Sequence, residues 1–325
     1  MKKLKLMVLL FFLCTGCFTV KTQAESGFLG QDLSMLENSN GKIVKIEYYD
    51  FDKSIEDNLH KLEQEDYKKG FDFLQKHYNY YRMEYLSDGL KVVGFIVKPK
   101  KEGKYPVIIF NRGAHKEIGK IDIVGLGYLT TLAEKGYVVI ASQYRGNDGG
   151  EGKDEIGGGD VNDVLHLIPL AKSLPFTYAD QIVMCGGSRG GLMTYLAIKE
   201  GADIKAAVVY CGVTDLIQSY NESYHGMKDE LEDMIGGTPE EKKEEYIKRS
   251  AYYWPEAINT PVLIIHGKYD SNVRVNQAEK LAKRLEELNK TYKIIIYNCD
   301  HNLNFSSIYE ERHREMFSWF DKYLN

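Results

Sequence analysis

The sequence predicts an α/β domain built on a mostly parallel sheet with helices on both faces. Three observations carry that expectation. Short, nearly all-apolar runs recur at 107–110, 137–141, 181–185, 205–210, 262–266 and 292–297, and strands buried on both faces read as continuous apolar runs rather than as alternation. Stretches of helical periodicity fall between them, at about 125–135, 160–173, 191–200, 274–289 and 307–323. Such alternation is the signature of parallel strands joined by crossover helices. Finally, 325 residues, 43% hydrophobic and 27% charged, suffice for one large core.

Taken in order, the chain begins with Lys2, Lys3 and Lys5 and an apolar run at 6–13. The run is too short for a comfortable transmembrane helix and reads as an export leader over residues 1–24. Two endings fit it. Cys14-Thr-Gly-Cys17 resembles a bacterial lipoprotein box, which would acylate Cys17 and anchor the protein to a membrane. Cleavage after Ala24 would instead release it. Either ending places the protein in the cell envelope or outside the cell. Residues 25–78 form an N-terminal arm. Within it 42–49 alternates like a strand, and 54–77 is highly charged with Ile55, Leu59, Leu62, Phe71 and Leu74 at helical spacing. Residues 79–325 form the main domain. It opens with a hairpin, 78–86 and 90–97 about Ser87-Asp-Gly89. Some fifty residues rich in charge and tyrosine separate the strands ending at Tyr210 and starting at Val262. They predict a helical insertion near the mouth of the site, either a lid or a solvated excursion.

The site is centred on Gly186-Gly-Ser-Arg-Gly-Gly191, between the strand at 181–185 and the helix at 191–200. This is G-x-S-x-G in the strand-turn-helix context that gives the motif meaning. A nucleophilic serine at such an apex has a strained backbone, and the glycines two residues either side, Gly186 and Gly190, have no Cβ to collide. The helix starting there offers N–H groups to a developing negative charge. A serine nucleophile needs a base, and the base needs an acid to hold its tautomer. Asp270 follows the strand at 262–266 and His301 follows the last strand. Ser188, Asp270 and His301 therefore stand at strand ends in the serine, acid, histidine order of α/β-hydrolases. Asp215 is an alternative acid. Asp300 faces solvent or caps, His266 serves the turn, and His115 lies near the expected oxyanion hole. The first oxyanion donor is the N–H of Arg189. The second comes from the loop after 107–110, where Asn111, Arg112 and Gly113 remain open. If the side chains of Arg112 and Arg189 reach the site, they would favour acidic substrates.

From about residue 85 to the end, the chain resembles the catalytic domain of the prolyl oligopeptidase family of serine peptidases. Gln143-Tyr-Arg-Gly146, Gly186 to Gly191, the segment Thr260-Pro-Val-Leu-Ile-Ile-His-Gly-Lys-Tyr-Asp270 and His301 carry the likeness. The resemblance implies an α/β-hydrolase fold, Ser188 as nucleophile, Asp270 as acid, His301 as base and Arg145 as a structural arginine. The chain departs from it in three places. The region before the main domain is too short for the family's usual β-propeller. Arg189 and Leu192 stand where many members have tyrosine. The loop Phe110-Asn-Arg-Gly113 lacks the tyrosine that completes the oxyanion hole in several members.

The expected function is an exported serine peptidase acting on short peptides through an acyl-enzyme. A carboxylesterase on the same fold is the alternative, and a surface binding protein on an inactive scaffold is the third reading. A net charge of -5 gives no reason to expect nucleic acid. No H-E-x-x-H or paired-cysteine pattern exists, so neither metal nor cofactor is expected. Of the five cysteines, Cys185, Cys211 and Cys299 lie at or near apolar runs and read as buried thiols.

Overall fold

β-Branched runs build the centre of the molecule, because Val and Ile pack well on a pleated surface covered from both sides. The computed structural model of the chain describes residues 29–58, 61–223, 225–303 and 306–324. Its strands are β1 (Ile43–Tyr48), β2 (Tyr78–Ser87), β3 (Leu90–Pro99), β4 (Tyr105–Asn111), β5 (Val138–Ser142), β6 (Thr177–Gly187), β7 (Ala207–Tyr210), β8 (Val262–Gly267) and β9 (Tyr292–Tyr297). They form one sheet in the order β1-β2-β3-β5-β4-β6-β7-β8-β9. β1, β2 and β3 run antiparallel to their neighbours, and the other six are mutually parallel. From β4 the chain goes out to β5 on one side and returns to β6 on the other. The crevice above the carboxyl ends of β4 and β6 is thus a topological switch point, where ligands bind in open α/β sheets. The register pairs Asn111 with Gly186 and so sets the loop after β4 beside the turn after β6.

Side-chain alternation divides the core in two. On one face Val107, Ile109, Ile182, Met184, Val209 and Ile264 pack under α4 (Val161–Leu165), α5 (Leu167–Ser173), α6 (Arg189–Lys199) and α10 (Val275–Glu287). On the other, Ile108, Val139, Val183, Val208 and Leu263 pack under α1 (Phe51–Asn58), α2 (Lys61–His77), α3 (Ile123–Ala133) and α11 (Ser306–Leu324). In α11, Met316, Phe317 and Phe320 recur at helical spacing and are buried. Each contributes about 1.5–3 kcal/mol by leaving water.

The N-terminal arm is part of this architecture. β1 pairs with β2 at the sheet edge, and Phe51 stacks on Phe71 and meets Tyr80 edge-on. The leader, with Cys14 and Cys17, lies outside the described residues. The single helix expected at 160–173 is two, and the cause is Pro169. Its missing N–H cannot bond to the Leu165 carbonyl and its ring crowds that group, so α4 ends at Leu165 and α5 begins at Leu167. β6 starts earlier than the apolar run suggested, because polar residues at its start still pair with β4 through Thr177 and Tyr105. The insertion after β7 carries α7 (Leu216–Glu222), α8 (His225–Ile235), α9 (Lys243–Lys248) and two single 3-10 turns. α8 reaches back to the loop after β4, where Lys116 pairs with Glu230 at 2.5 Å and Asp233 at 3.0 Å.

Candidate active site

The turn after β6 has the geometry its sequence requires. Ser188 sits at φ 56, ψ -121, a backbone state that an L-residue holds only under constraint. A Cβ on Gly186 would lie 2.3 Å from the Gly190 oxygen, and one on Gly190 would lie 2.0 Å from the Asn111 oxygen. The fit around Gly191 is also tight, with Val209 Cγ1 at 2.6 Å from such an atom. No other residue fits any of the three positions. Ser188 N–H donates to the Tyr210 carbonyl at 2.9 Å, tying the apex to β7. α6 starts at the next residue, and its first turn presents N–H groups and the positive end of the helix dipole at the serine.

Two loops farther along the sheet supply a hydrogen-bonded couple. Asp270 follows β8, and His301 follows β9. His301 Nδ1 lies 2.7 Å from Asp270 Oδ2. The other carboxylate oxygen accepts N–H groups of Asn272 and Val273 at 2.9 and 2.8 Å. Burial alone would push Asp270 up. Hydrogen bonds from His266 and His301, helped by the Val273 N–H, outweigh it and hold the carboxyl well below the usual range. Asp270 is therefore an anion fixed in place. Its bond to His301 directs the Nδ1 proton to the carboxylate and leaves Nε2 as the basic nitrogen.

The loop after β4 distributes its candidates differently from expectation. The Asn111 side chain is fully buried and donates to Thr194 Oγ1 at 2.9 Å, so its amide is engaged inside the fold rather than turned to the site. Arg112 turns away from the site and is spent on carbonyls of Gln143, Gly113, Ile118 and Lys116. Gly113 runs against the serine: a Cβ there would be 3.2 Å from the Gly187 oxygen and 3.6 Å from Ser188 Cβ. The loop thus offers backbone rather than side chains to the space above the serine.

Arg189 likewise points inward. Its guanidinium pairs with Asp154 and Asp160, each at 2.5 Å, and donates to the Ala114 carbonyl at 3.1 Å. Arg112 and Arg189 both lie over the Tyr144 ring, at 5.1 and 4.6 Å. The expectation that these two arginines face an acidic substrate is therefore corrected. Arginine is the weakly hydrated, fork-shaped cation suited to buried ion pairs, and here these carboxylates and carbonyls occupy it. Asp160 precedes α4 but makes no capping bond, because its carboxylate is engaged by Arg189. Arg145 is structural, as expected, held by Asp163 and Asp88 at 2.8 Å each.

Asp215 caps α7 through the N–H groups of Ile217 and Gln218, which removes it as the alternative acid. Asp300 is exposed and accepts from Asn302 N. His115 lies 3.9 Å from Glu230, and burial lowers its pKa. The three described cysteines are free and buried. Two residues were missed. His266 lies inside β8, one residue before its end, rather than in a turn, is fully buried, and places Nε2 2.8 Å from the Val273 oxygen and 3.2 Å from Asp270 Oδ2. Its four-residue spacing to Asp270 across a strand end was the available signal. Cys211 follows β7 at φ 45, with its sulfur within 4.8 Å of a carboxylate oxygen of Asp270. Nothing in its local sequence marks that contact.

A family model for the prolyl oligopeptidase family matches residues 127–325. The chain belongs to the prolyl oligopeptidase family. It is thereby a serine-type peptidase. The chain is 35% identical over 232 residues to the uncharacterized peptidase YtmA of Bacillus subtilis, an alignment covering 71% of this chain and 89% of that one. Against dipeptidyl-peptidase 5 of Porphyromonas gingivalis it is 26% identical over 259 residues, which is 73% of this chain but only 37% of that longer protein. Among solved structures, the acylaminoacyl peptidase of Pyrococcus horikoshii matches with a TM-score of 0.66 at 24% identity, over 78% of this chain and 43% of that one. That likeness shows the α/β-hydrolase fold.

Proposed function

We propose that this peptidase cleaves short peptides through an acyl-enzyme on Ser188, with His301 as general base and Asp270 as its orienting acid. The 2.7 Å bond between His301 Nδ1 and Asp270, at the carboxyl edge that also carries the strained Ser188, carries the reading. Ser188 Oγ attacks the scissile carbonyl carbon as its proton passes to His301 Nε2. The oxyanion is met by the Arg189 N–H and by a backbone N–H of the loop after β4. As the tetrahedral intermediate collapses, His301 protonates the departing amine, and water then repeats the sequence to free the acid. Relatives named as dipeptidyl and acylaminoacyl peptidases support short peptides as the substrate class.

Labelling with a fluorophosphonate followed by peptide mapping tests the mechanism. Label is expected on Ser188 and not in Ser188→Ala. An unlabelled native protein with no hydrolysis of any peptidyl amide or ester would sink it. The probable carboxylic ester hydrolase LipM of Mycobacterium tuberculosis is 28% identical over 179 residues, which supports an esterase as the second reading. Turnover of acyl esters with none of peptidyl amides would decide for it. The export reading of the leader is proposed alongside, with Cys17 as the acylated residue. Metabolic palmitate label that persists in Cys17→Ala would exclude that residue.

A further inference from the structure

We propose that Cys211, Asp270 and His301 form an inhibitory site for a thiophilic divalent cation of the zinc class. The proposal rests on the reading of Asp270 and His301 as the acid and base. Cys211 Sγ, a carboxylate oxygen of Asp270 and a ring nitrogen of His301 all lie within 4.8 Å of one another. In a tetrahedral zinc site, bonds of about 2.0–2.3 Å set ligand atoms roughly 3.3–3.6 Å apart. The three groups stand within about 1.5 Å of that spacing, the His301–Asp270 pair at 2.7 Å and the others within 4.8 Å. Their chemistry is a zinc set of thiol, imidazole and carboxylate, whereas magnesium and calcium prefer oxygen ligands alone.

The sulfur is already oriented. Cys211 is held by its N–H bond to the Ile265 carbonyl at 2.8 Å, with its sulfur beside the Asp270 carboxylate. The entry side is also defined. The His301 side chain is 17% exposed, while Asp270 and Cys211 are covered. A cation arriving past His301 leaves its fourth position to water.

Binding balances simply. The thiol loses its proton to solvent, the thiolate and carboxylate coordinate, and no electrons are transferred. His301 gives the metal the lone pair at Nδ1, so its one ring proton resides on Nε2. That nitrogen can no longer accept the proton of Ser188. The cation breaks the Asp270–His301 bond and fixes the wrong tautomer in one event, without touching the serine.

The test uses the purified full chain stripped of metal. Titration with cobalt(II), a spectroscopic substitute for zinc, is expected to produce a thiolate-to-cobalt charge-transfer band that is absent in Cys211→Ser. Zinc is expected to suppress fluorophosphonate labelling of Ser188 reversibly, with a chelator restoring it. Cys211→Ser, compared with its own metal-free rate, is expected to need about tenfold more zinc or beyond. Absence of the thiolate band in the native chain overturns the proposal, as does equal zinc sensitivity in Cys211→Ser. If the metal-free protein takes no label, the hydrolase reading fails on its own, while the cobalt band still decides whether the cation site exists.

Discussion

Replacing Arg189 by methionine keeps most of the side-chain volume and removes a charge that two buried carboxylates depend on. Arg189 is 3% exposed, and the side chains of Asp154 and Asp160 are 4% and 0% exposed. Burial pushes Asp154 up, yet Arg189 overrides it and holds that carboxyl well below the usual range. Breaking a buried pair by removing one partner costs about 3–5 kcal/mol, because the other charge is left uncompensated. Two such carboxylates place Arg189→Met at the upper end of that range, which corresponds to a fall in Tm of roughly 7 °C. Equilibrium unfolding in guanidinium chloride measures it. The triple variant Arg189→Met, Asp154→Asn, Asp160→Asn is expected to recover more than half of the loss, since neutral amides still serve the Lys116 N–H and Gly157 N–H that the two aspartates accept. A single variant within about 1 kcal/mol of the parent, or a triple variant no more stable than the single, would refute the account.

Asp270→Asn keeps the shape of the acid but favours the wrong tautomer of His301, so kcat is expected to fall by about 10⁴ with little change in KM, read by peptidyl-amide turnover. Gly190→Ala drives a Cβ into the Asn111 carbonyl, and the expected outcome is insoluble or strongly destabilised protein, checked by expression and melting. His266→Phe strips a donor from Asp270 and leaves the Val273 carbonyl unpaired, at a cost of about 1–3 kcal/mol. It also moves a pH boundary. Because the folded value of Asp270 is depressed, its contribution to stability is full above about pH 4 and lost as pH falls through the folded value. Without His266 the folded value lies higher, so the contribution is smaller and its loss is complete at higher pH; urea unfolding between pH 2 and 6 reads the change. An unchanged acid limb would remove His266 as a support of the acid.

The strands and crossover helices were legible because burial on both faces writes itself as apolar runs. The turn at Ser188 was legible because only glycine tolerates its contacts. What sequence reasoning misplaced were charged groups. Arg112 and Arg189 look alike whether they face a ligand or a buried carboxylate, and only the positions of Asp154, Asp160 and Tyr144 decide. His266 was hidden by the adjacent Gly267, a turn signal that outweighed its place at the end of an apolar strand. Cys211 was read as a buried thiol, which it is. Its contact with Asp270 depends on β7 and β8 lying side by side, and no local pattern encodes that neighbour.

The strand order also fixes when the machinery comes into being. The turn bearing Ser188 is braced by Tyr210 of β7 and faces Gly113 after β4, so its scaffold is complete from the middle of the chain. The proposed base, His301, arrives only after β9. A nascent chain leaving the ribosome, or one threaded unfolded through a translocation channel, therefore carries its serine long before anything can take the proton from it. On the proposed mechanism such a protease is silent in transit and cannot digest its neighbours or itself until the last strand has docked.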